Sequence, residues 1–556
     1  MASKKTKLRV FSLGGLQEIG KNITVFEYSD DIIIADCGVA FPEDDMLGID
    51  LVIPDFTYLV KNKDKIRGIV LTHGHEDHIG SIPYLLRELD APIYGTKLTL
   101  GLVDIKLKEH GLLNKTKRNC VKAGEKVQLG RFEVEFIAVT HSIADSCALA
   151  IKSPAGLCIH SGDFKVDYTP IHGQRIDLAR FAELGRQGVL LFLCESTNVE
   201  MRGYTMSERS VGAAFESIFN DSEKNRIMVA TFSSNIHRIQ QIISCAAKHG
   251  RKVAVIGRSM VNTVTTACDL GYIEIPKNVL IDISEIKNYT DDKIVIITTG
   301  TQGEPMSALS RMAMSDHRQV EIKPNDKIVI SASSIPGNEK SVSKVVNELM
   351  KLGADVIYEG LMEVHVSGHA RQEEIKLLHA LINPQYVMPI HGEFKHLRAH
   401  RELAVGMGTP KENVFVCNIG EVLELNSQGA RISGTVPAGQ VMVDGLGVGD
   451  VGSIVLRDRK HLAQDGLIIV ALSMDAESGQ IIAGPDILSR GFVYVRESED
   501  MMEQARVVVR KALDKCEAKN VTEWSLIKGV VRDTLKEYVW QKTKRSPMIL
   551  PIIMDV

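Results

Sequence analysis

The sequence predicts an α/β protein in which one α/β domain is inserted into another and a small α+β unit follows. Short apolar segments typical of strands alternate with stretches typical of helices through most of the 556 residues. Candidate metal ligands follow such strands before residue 210 and reappear beyond residue 370. A glycine-rich stretch, Gly445–Gly452, precedes the C-terminal unit. We therefore expect a first domain in two parts (1–210 and 371–448), an inserted domain (211–370), a linker (449–462) and a C-terminal domain (463–556).

The first domain begins with strand-like segments on either side of a glycine-rich loop. Leu8–Ser12 and Ile32–Ala35 have the apolar character of buried strands, and Gly14–Asn22 lies between them. This loop matches neither the dinucleotide-binding pattern nor the P-loop pattern, so it does not predict nucleotide binding. A tight turn beside a metal site explains it better. A third apolar run, Gly68–Leu71, predicts another short buried strand.

The most informative motif follows that third strand directly. The loop has the pattern H-x-H-x-D-H, and it places four candidate ligands within six residues: His73, His75, Asp77 and His78. Open α/β sheets position their sites at such strand ends. Imidazole and carboxylate ligands together suit zinc and neighbouring divalent metals. One ion cannot easily use all four ligands, whereas two ions can share them.

Single candidate ligands follow three later apolar strands. Each of these three residues alone could be an ordinary polar residue at a strand end. The alternative for the H-x-H-x-D-H loop is that its histidines are solvated loop residues, but their close spacing disfavours this. Together they complete a two-metal site, in which one ion takes His73, His75 and His141, the other takes Asp77, His78 and His391, and Asp163 bridges them. By contrast, His160 lies inside its apolar segment, so we expect a packed core residue.

Composition narrows the class of protein and its compartment. Hydrophobic residues make up 44% of the chain and the formal net charge is −4, so no overall basic field indicates nucleic acid. The nine cysteines include no C-x-x-C pair and are expected to be reduced thiols. No apolar segment of signal-peptide length follows the basic first residues, and no apolar run approaches the roughly 20 residues of a membrane span. We therefore expect a cytoplasmic protein with no membrane contact.

The inserted domain shows a second alternation of strands and helices. Helical stretches are predicted at Ile236–Lys248 and Ser341–Lys351. Repeated strand–helix units of this kind imply a parallel sheet. The predicted strands are Ile227–Thr231, Val253–Ile256, Ile294–Thr298, Lys327–Ser331 and Ala354–Ile357.

Several motifs resemble those of known families. The H-x-H-x-D-H loop with Thr140–Ser142 and Ser161–Asp163 resembles the metallo-β-lactamase fold, an αββα sandwich. Leu193–Asn198, before the insertion, and Val366–His369, at its end, look like motifs of the β-CASP subgroup of nucleic-acid nucleases. Four further segments are similar to the bacterial ribonuclease J family, and with them the similarity spans essentially the whole chain: Gly15–Asn22, Gly48–Asp55, Thr301–Pro305 and Lys542–Ile549.

The resemblance implies a 5′-to-3′ exoribonuclease that prefers 5′-monophosphorylated RNA, also cuts internally, and acts in mRNA decay and in the maturation of rRNA and other RNAs. A hydroxide activated by two metal ions would attack the phosphodiester. Asp77, Glu195 and His369 form the implied catalytic set. His391, the histidine of the third β-CASP motif, resembles RNA-acting members, since DNA-acting relatives tend to carry valine there. Glu195 departs from the aspartate often found in the family, which leaves its detailed role open.

A pocket for the terminal phosphate is also implied. Thr231–Asn235 lies between a strand and a helix, so its amides can face an anion at the helix N-terminus. Plain helix capping is the alternative for this segment, and both can hold at once. The implied substrate-binding residues are Ser233, Ser234, Asn235, His365, Val366, Ser367, Gly368 and His369.

The resemblance further implies metals, assemblies and partners. Zinc is the first choice for the two divalent ions, with manganese as the alternative. Gly48, Asp50 and Asp444 are candidates for a structural calcium site, because carbonyl and carboxylate oxygens suit that ion. The substrate is expected to be single-stranded RNA. The C-terminal domain is expected to support a homodimer or homotetramer, and the apolar end Met548–Met554 would be buried against a partner. A paralogous subunit and other RNA-decay enzymes are further candidate partners.

Three competing functions remain open. A thioesterase or lactamase of the same fold would use the same metals but would not need the inserted domain. A 3′-end-processing endonuclease or a DNA-repair nuclease would share the insertion, and dependence on a 5′-phosphate would separate an exonuclease from a strict endonuclease. An RNA-binding scaffold without activity is the non-enzymatic alternative, and the complete ligand set argues against it.

Overall fold

The chain divides into two units in the computed structural model. The first consists of Met1–Ala40 and Val52–Val441, and the second of Phe41–Leu51 and Met442–Val556. The structure describes residues 7–43, 45–171, 173–304, 306–335, 338–475, 478, 480–492, 499–519 and 521–555. Pro305, which ends one of the family-like motifs, lies outside the described residues.

The first unit begins with the strands and helices of a sandwich. They are β1 Leu8–Gly14, β2 Leu16–Gln17, β3 Ile23–Tyr28, β4 Asp31–Ala35, β5 Leu51–Pro54, α1 Thr57–Lys61, β6 Ile66–Val70, α2 Glu76–Ile79, α3 Ile82–Glu88, β7 Ile93–Gly95, α4 Lys97–Glu109, β8 Arg118–Cys120, β9 Lys126–Leu129, β10 Phe132–Ala138, β11 Cys147–Ser153, β12 Gly156–His160, α5 Leu178–Gln187 and β13 Leu191–Glu195. The strands predicted at residues 8–12, 32–35 and 68–71 are confirmed by β1, β4 and β6.

An inserted α/β domain follows. It contains α6 Arg209–Asp221, β14 Ile227–Ala230, α7 Ile236–Lys248, β15 Lys252–Ile256, α8 Arg258–Asp269, β16 Leu280–Ile281, β17 Ile294–Thr298, α9 Ala308–Ala313, β18 Lys327–Ile330, α10 Glu339–Lys351 and β19 Asp355–Ile357. All five predicted strands are present, and the sheet is parallel throughout, in the order β16-β15-β17-β14-β18-β19. Its inner strands are continuous apolar runs because helices cover both faces.

The chain then returns to the sandwich. The returning elements are α11 Gln372–Ile382, β20 Tyr386–Ile390, β21 Gly392–Glu393, α12 Phe394–Gly406, β22 Glu421–Asn426 and β23 Gly429–Thr435. Strand β20 pairs in parallel with β13, with Leu191 opposite Tyr386. The six-stranded sheet is therefore completed by a strand that follows the insertion.

The sandwich consists of two sheets with a shared core. An eight-stranded sheet has the order β23-β22-β1-β3-β4-β6-β7-β8, and a six-stranded sheet has the order β20-β13-β12-β11-β10-β9. Phe26 and Val70 from the first sheet pack with Phe136 and Met388 from the second in one buried cluster. Helices α5 and α11 cover the outer face of the six-stranded sheet, and α4 packs against β7 and β8. This is the predicted αββα arrangement.

The second unit contains the C-terminal elements. They are α13 Ser453–Asp465, β26 Leu467–Met474, β27 Ile481–Arg490, α14 Glu499–Ala518, α15 Trp524–Thr543 and β28 Met548–Asp555, preceded by the short strands β24 Gln440–Asp444 and β25 Gly447–Val448. Strand β26 lies between β27 and β28, and its buried residues pack against Val509 and Leu535 of the two long helices. The stretch 449–462, predicted as a linker, holds most of helix α13, and every residue of that helix is at least partly exposed.

One buried histidine of α12 gives the first unit a sensitivity to acid. His400 is fully enclosed, and its Nδ1 hydrogen-bonds to Ser196 Oγ at 2.9 Å. Burial lowers the pKa of His400 to about 3, whereas an unfolded histidine titrates near 6.5. Between these pH values the unfolded chain takes up a proton that the folded chain does not. The free energy of unfolding therefore falls as the pH decreases below about 6.5.

Replacing His400 by asparagine is expected to reduce this pH dependence. The wild-type chain should lose roughly 1.4 kcal/mol of stability per pH unit through this group, because each unit of pKa shift corresponds to that difference. Urea unfolding at several pH values between 6.5 and 4.5 measures the slope. An equal slope in the two proteins would show that His400 is not the titrating group.

Candidate metal centre and its surroundings

The candidate ligands meet because the strands that carry them end on the same side. β4 and β6 run parallel in one sheet, and β12, β13 and β20 run parallel in the other. The residues after their carboxyl ends therefore meet at one edge of the sandwich, where sites of α/β proteins form. The loop after β6 is held close to the residues after β4, since a side chain at Gly38 would place its Cβ 1.6 Å from the carbonyl oxygen of Asp77.

The first group of candidate ligands contains three imidazoles and one carboxylate. The donor atoms of His73, His75, His141 and Asp163 all lie within 4.8 Å of one another. His75 Nδ1 lies 3.1 Å from His73 Nε2 and 3.1 Å from His141 Nε2. Asp163 Oδ2 is 3.6 Å from His73 Nε2. These four side chains surround one point, as ligands of one ion would.

The second group shares the same carboxylate. Its members are Asp77, His78, Asp163 and His391, again with all donor atoms within 4.8 Å of one another. Asp163 Oδ2 lies 3.2 Å from His78 Nε2 and 3.3 Å from His391 Nε2. His391 Nε2 lies 3.2 Å from Asp77 Oδ2. The structure therefore brings all seven predicted ligands together in the two predicted sets, with Asp163 common to both.

The donor set fits a pair of divalent ions. Asp163 Oδ2 and His391 Nε2 are buried, and although ionisable neighbours lie 3.2–3.3 Å away, no described residue meets either atom with hydrogen-bond geometry. Buried polar atoms are normally satisfied, and an unpaired one carries a free-energy cost. Metal ions would satisfy both atoms, since imidazole nitrogen and carboxylate oxygen are the ligands that zinc and manganese accept.

The surroundings orient several ligands. His78 Nδ1 donates to Asp36 Oδ2 at 2.8 Å, which leaves Nε2 facing the site. His141 Nδ1 donates to the carbonyl oxygen of Gly368 at 2.7 Å, with the same effect. Such contacts fix the tautomer and ring orientation of a metal-binding histidine. Asp36 was not predicted from the sequence, although it follows a predicted strand in the same way as the predicted ligands.

The two groups differ electrostatically. Burial lowers the pKa of His75 to about 4 and lowers the pKa values of His73 and His141, so these rings stay neutral and keep a lone pair for a metal. Burial opposes protonation of His391 as well, but the carboxylates of Asp163 and Asp77 raise its pKa to about 10. The second group therefore attracts positive charge, which a metal ion would supply in place of a proton.

His160 belongs to neither donor group. It is buried at the end of β12, its Nδ1 accepts a hydrogen bond from the Gly162 amide at 3.1 Å, and burial lowers its pKa to about 4. The expectation of a packed core histidine is confirmed.

Glu195 and His369 form a pair beside the ligands. His369 Nδ1 donates to Glu195 Oε2 at 2.9 Å, and Glu195 Oε1 accepts from the amide of Phe164 at 3.0 Å. His369 Nδ1 is 3.9 Å from Asp163 Oδ2, which places this imidazole at the edge of the ligand cluster. Burial opposes protonation of His369, but Glu195 raises its pKa. The carboxylate of Glu195 therefore orients the His369 ring and favours its protonated form.

The predicted phosphate-binding residues lie at the start of α7 and in the segment 365–369. Asn235 Oδ1 accepts from the Arg238 amide at 3.1 Å, so the helix-capping alternative is correct for this residue, while Ser233 and Ser234 are partly exposed. The buried Arg238 connects the two regions, because its guanidinium donates to the carbonyl oxygen of Val366 at 3.4 Å and is paired with Glu208.

Polar contacts hold the segment 365–369 itself. Asn198 Nδ2 donates to Ser367 Oγ at 2.8 Å, and Thr205 Oγ1 donates to the carbonyl oxygen of His369 at 2.7 Å. His365 Nδ1 is hydrogen-bonded to Ser333 Oγ at 2.6 Å. Neither Thr205 nor Ser333 was predicted from the sequence, since neither belongs to a recognisable motif.

The calcium candidates lie in the second unit. Asp444 pairs with Arg459, which also donates to the carbonyl oxygen of Leu47 at 2.9 Å. Asp50 Oδ2 accepts from the Gly445 amide at 2.8 Å, and Gly48 lies against the Arg459 guanidinium. The calcium site stays a prediction, and an ion there would have to replace Arg459 as the partner of Asp444.

Four separate parts of the chain match the models of known protein families. Residues 17–109 match the metallo-β-lactamase superfamily and residues 355–417 match the RNA specificity domain of Zn-dependent metallo-hydrolases. Residues 224–349 match the β-CASP domain of ribonuclease J, and residues 454–556 match its C-terminal domain. The fold and the site thus define a metal-dependent hydrolase of the metallo-β-lactamase superfamily with a β-CASP insertion and an RNA specificity domain.

Full-length relatives narrow the class to one family. The chain is 44% identical to ribonuclease J 1 of Streptococcus pyogenes over 99% of its own length and 98% of the relative's. It is 43% identical to ribonuclease J2 of Bacillus subtilis over 100% of both chains, and 43% identical to ribonuclease J of Synechocystis over 98% of its own length and 86% of the relative's. The chain belongs to the ribonuclease J family, and it is an RNA-binding, metal-dependent ribonuclease.

One solved structure supports the fold. A crystal structure of a protein of unknown function from Enterococcus faecalis V583 aligns with a TM-score of 0.54 at 17% identity and covers 76% of this chain and 100% of that one. Among the residues that the structure describes, we find no helix with the length and apolarity needed to cross a membrane.

Proposed function

We propose that this chain degrades single-stranded RNA stepwise from a 5′-monophosphorylated end and also cleaves RNA internally, in mRNA decay and RNA maturation. The observation that carries the proposal is the convergence of seven metal-type ligands in two groups that share Asp163, beside the Glu195–His369 pair. A small-molecule hydrolase of the same fold has no need of the inserted domain whose segment 365–369 borders these ligands. A non-catalytic scaffold has no need of the ligands.

The ligands would hold two divalent ions. His73, His75 and His141 would bind one ion, Asp77, His78 and His391 the other, and Asp163 would bridge them. When bound, such ions lower the pKa of a water molecule toward neutrality and neutralise charge on a phosphate. Zinc is the metal we propose, and manganese is the alternative that the same imidazole and carboxylate donors accept.

The chain's own residues would complete the chemistry. The raised pKa of His369 keeps a proton on the imidazole, which can then protonate the leaving 3′-oxygen. Glu195 acts as a positioning residue, because it fixes the ring through Nδ1 and leaves Nε2 for the substrate. Asp36 and the Gly368 carbonyl oxygen keep His78 and His141 in the orientation that metal binding requires.

The preference for a 5′-monophosphate would come from the inserted domain. Ser233 and Ser234 precede a helix N-terminus, where amide groups and the helix dipole favour an anion. Arg238 ties this turn to Val366, next to the donors of Ser367 and Gly368. A terminal phosphate bound here would position the first phosphodiester bond near the ligands, which favours stepwise cleavage.

Replacing Ser233 and Ser234 together by alanine is expected to weaken discrimination between RNA ends. Hydrogen bonds to a charged group contribute roughly 1.5–3 kcal/mol each, so the ratio of kcat/KM for 5′-monophosphate RNA over 5′-hydroxyl RNA should fall by about 10-fold or more. Matched 5′-monophosphate, 5′-triphosphate and 5′-hydroxyl RNAs, with and without chelator, measure the ratio and the product lengths. Thermal unfolding of the double variant, compared with that of the wild type, is the control for the stability of α7.

Either of two results would contradict this assignment. If wild-type protein cleaves all three RNAs equally and yields only internal fragments, the proposed exonuclease activity is wrong. If the double variant discriminates as well as the wild type, the phosphate lies elsewhere.

The chain is proposed to form a homodimer or homotetramer in the cytoplasm. Leu488, Leu550 and Met554 are exposed apolar residues of the C-terminal sheet, and burying them in a homodimer or homotetramer would remove that surface from water. A paralogous subunit or another RNA-decay enzyme is the alternative occupant. The free cysteines of the described chain suit a reducing, cytoplasmic environment.

A further inference from the structure

A second cluster of metal-type donors lies outside the catalytic centre, between helices α6 and α7 of the inserted domain. Cys245 and His249 are four residues apart at the end of α7, so they lie on the same face of the chain. Glu216 of α6 lies opposite them. The donor atoms of these three residues all lie within 4.8 Å of one another, and His249 Nε2 is 3.5 Å from Glu216 Oε2.

We propose that Glu216, Cys245 and His249 bind a divalent transition metal of the zinc type, separate from the catalytic pair and unassigned by the family comparison. Thiolate, imidazole and carboxylate together form a donor set that zinc prefers. In a tetrahedral zinc site, neighbouring ligand atoms lie roughly 3.3–3.6 Å apart, as follows from the metal–ligand bond lengths. The nitrogen–oxygen distance in the structure is already in that range.

The packing of the two helices keeps the three residues together. Gly212 lies one turn before Glu216, and a Cβ at that position would be 2.3 Å from Gln241 Oε1 on α7. Gln241 in turn lies one turn before Cys245. Helices α6 and α7 therefore pack against each other one turn before the donors, which places Glu216 opposite Cys245 and His249.

Access to the site is one-sided. Cys245 is buried, whereas Glu216 and His249 are partly exposed, so an ion can enter from solvent and keep a water molecule as its fourth ligand. Binding would release the thiol proton to solvent, since the thiolate is the metal-binding form. An ion held by both helices would link α6 to α7 within the inserted domain.

The competing interpretation is a simple ion pair. Lys248 Nζ lies 2.9 Å from Glu216 Oε2, and the ammonium group of this mostly exposed side chain offsets the carboxylate charge without any metal. Exposed ion pairs of this kind are weak, so a thiolate-bound metal would displace the lysine. Lys248 and a metal ion would thus compete for the Glu216 carboxylate. Removing the lysine side chain therefore distinguishes the two interpretations.

Cobalt substitution tests the proposal directly. The seven catalytic ligands are histidine and aspartate, so a thiolate-to-cobalt charge-transfer band can arise only from a cysteine site. Full-length metal-free protein is titrated with Co²⁺ alone, while absorption and bound cobalt are measured. We expect about three ions per chain and a charge-transfer band in the wild type, but about two ions and no band in Cys245→Ser, with RNA cleavage retained.

Two further variants and a control make the outcome decisive. His249→Gln changes a partly exposed residue and should weaken the band even if Cys245→Ser folds poorly. Lys248→Ala should strengthen cobalt binding at this site, because it frees Glu216. Cys268→Ser is the control and should keep the band. A wild-type protein without the band, or a band that persists in Cys245→Ser, would overturn the proposal without affecting the proposed ribonuclease activity.

Discussion

The Asp163→Asn variant should have almost no ribonuclease activity and should bind fewer divalent ions. Asp163 is the one carboxylate common to both donor groups, and its Oδ2 lies within 3.3 Å of His78 Nε2 and His391 Nε2. Asparagine keeps the shape of the side chain but removes the negative charge that would hold the two ions together. We expect kcat/KM to fall by on the order of 10³-fold or more, because metal-based stabilisation of the transition state amounts to several kcal/mol.

The measurement combines kinetics with metal analysis on the same protein sample. Activity on a 5′-monophosphorylated RNA is compared with the number of ions bound per chain. Asp177→Asn is the matched control, since Asp177 caps α5 by accepting from the Arg180 amide, and asparagine preserves that cap. If Asp163→Asn had full activity and the melting temperature of the wild type, the bridging carboxylate would not be required for catalysis.

The second large effect is expected at His369. His369→Ala should reduce kcat by about 10²–10⁴-fold, the usual contribution of a positioned general acid, while the number of bound ions stays at the wild-type value. This combination separates a proton donor from a metal ligand. Loss of metal together with activity would instead make His369 part of the metal site.

The partner of His369 offers a test through pH. Burial opposes protonation of His369, and Glu195 raises its pKa. Glu195→Gln removes the negative charge, so the pKa of the histidine should fall. The protonated form is the active acid, and activity is lost as the pH rises through that pKa. The alkaline limb of the kcat profile should therefore move to lower pH in Glu195→Gln, whereas a purely structural role for Glu195 would lower kcat equally at all pH values.

Much of the metal centre could be predicted because its first four ligands lie within six residues and the others follow strands directly. Parallel strands deliver such residues to one edge, so sequence position was enough to predict that His141, Asp163 and His391 meet the first loop. Asp36 was missed because a single aspartate after a strand has no spacing pattern. Its role depends on a hydrogen bond to His78, which only the folded chain reveals.

Other features depend on contacts between distant parts of the chain. The buried Arg238–Glu208 pair joins the start of α7 to the residue before α6, and no local pattern indicates which charged residues will be enclosed in this way. Glu195 was recognised by its motif, but its function as the partner of His369 required the geometry. Helix α13 was missed in the predicted linker because the glycines at 445–452 suggested turns and concealed the helical segment that follows.

Anomalous scattering from crystals of the metal-loaded protein, measured at the absorption edge of the bound metal, would locate the ions directly. We expect two peaks that share Asp163, one within bonding distance of His73, His75 and His141 and the other within bonding distance of Asp77, His78 and His391. A single peak, or no peak at Asp163, in crystals of protein that degrades RNA at the normal rate would contradict the proposed two-metal site.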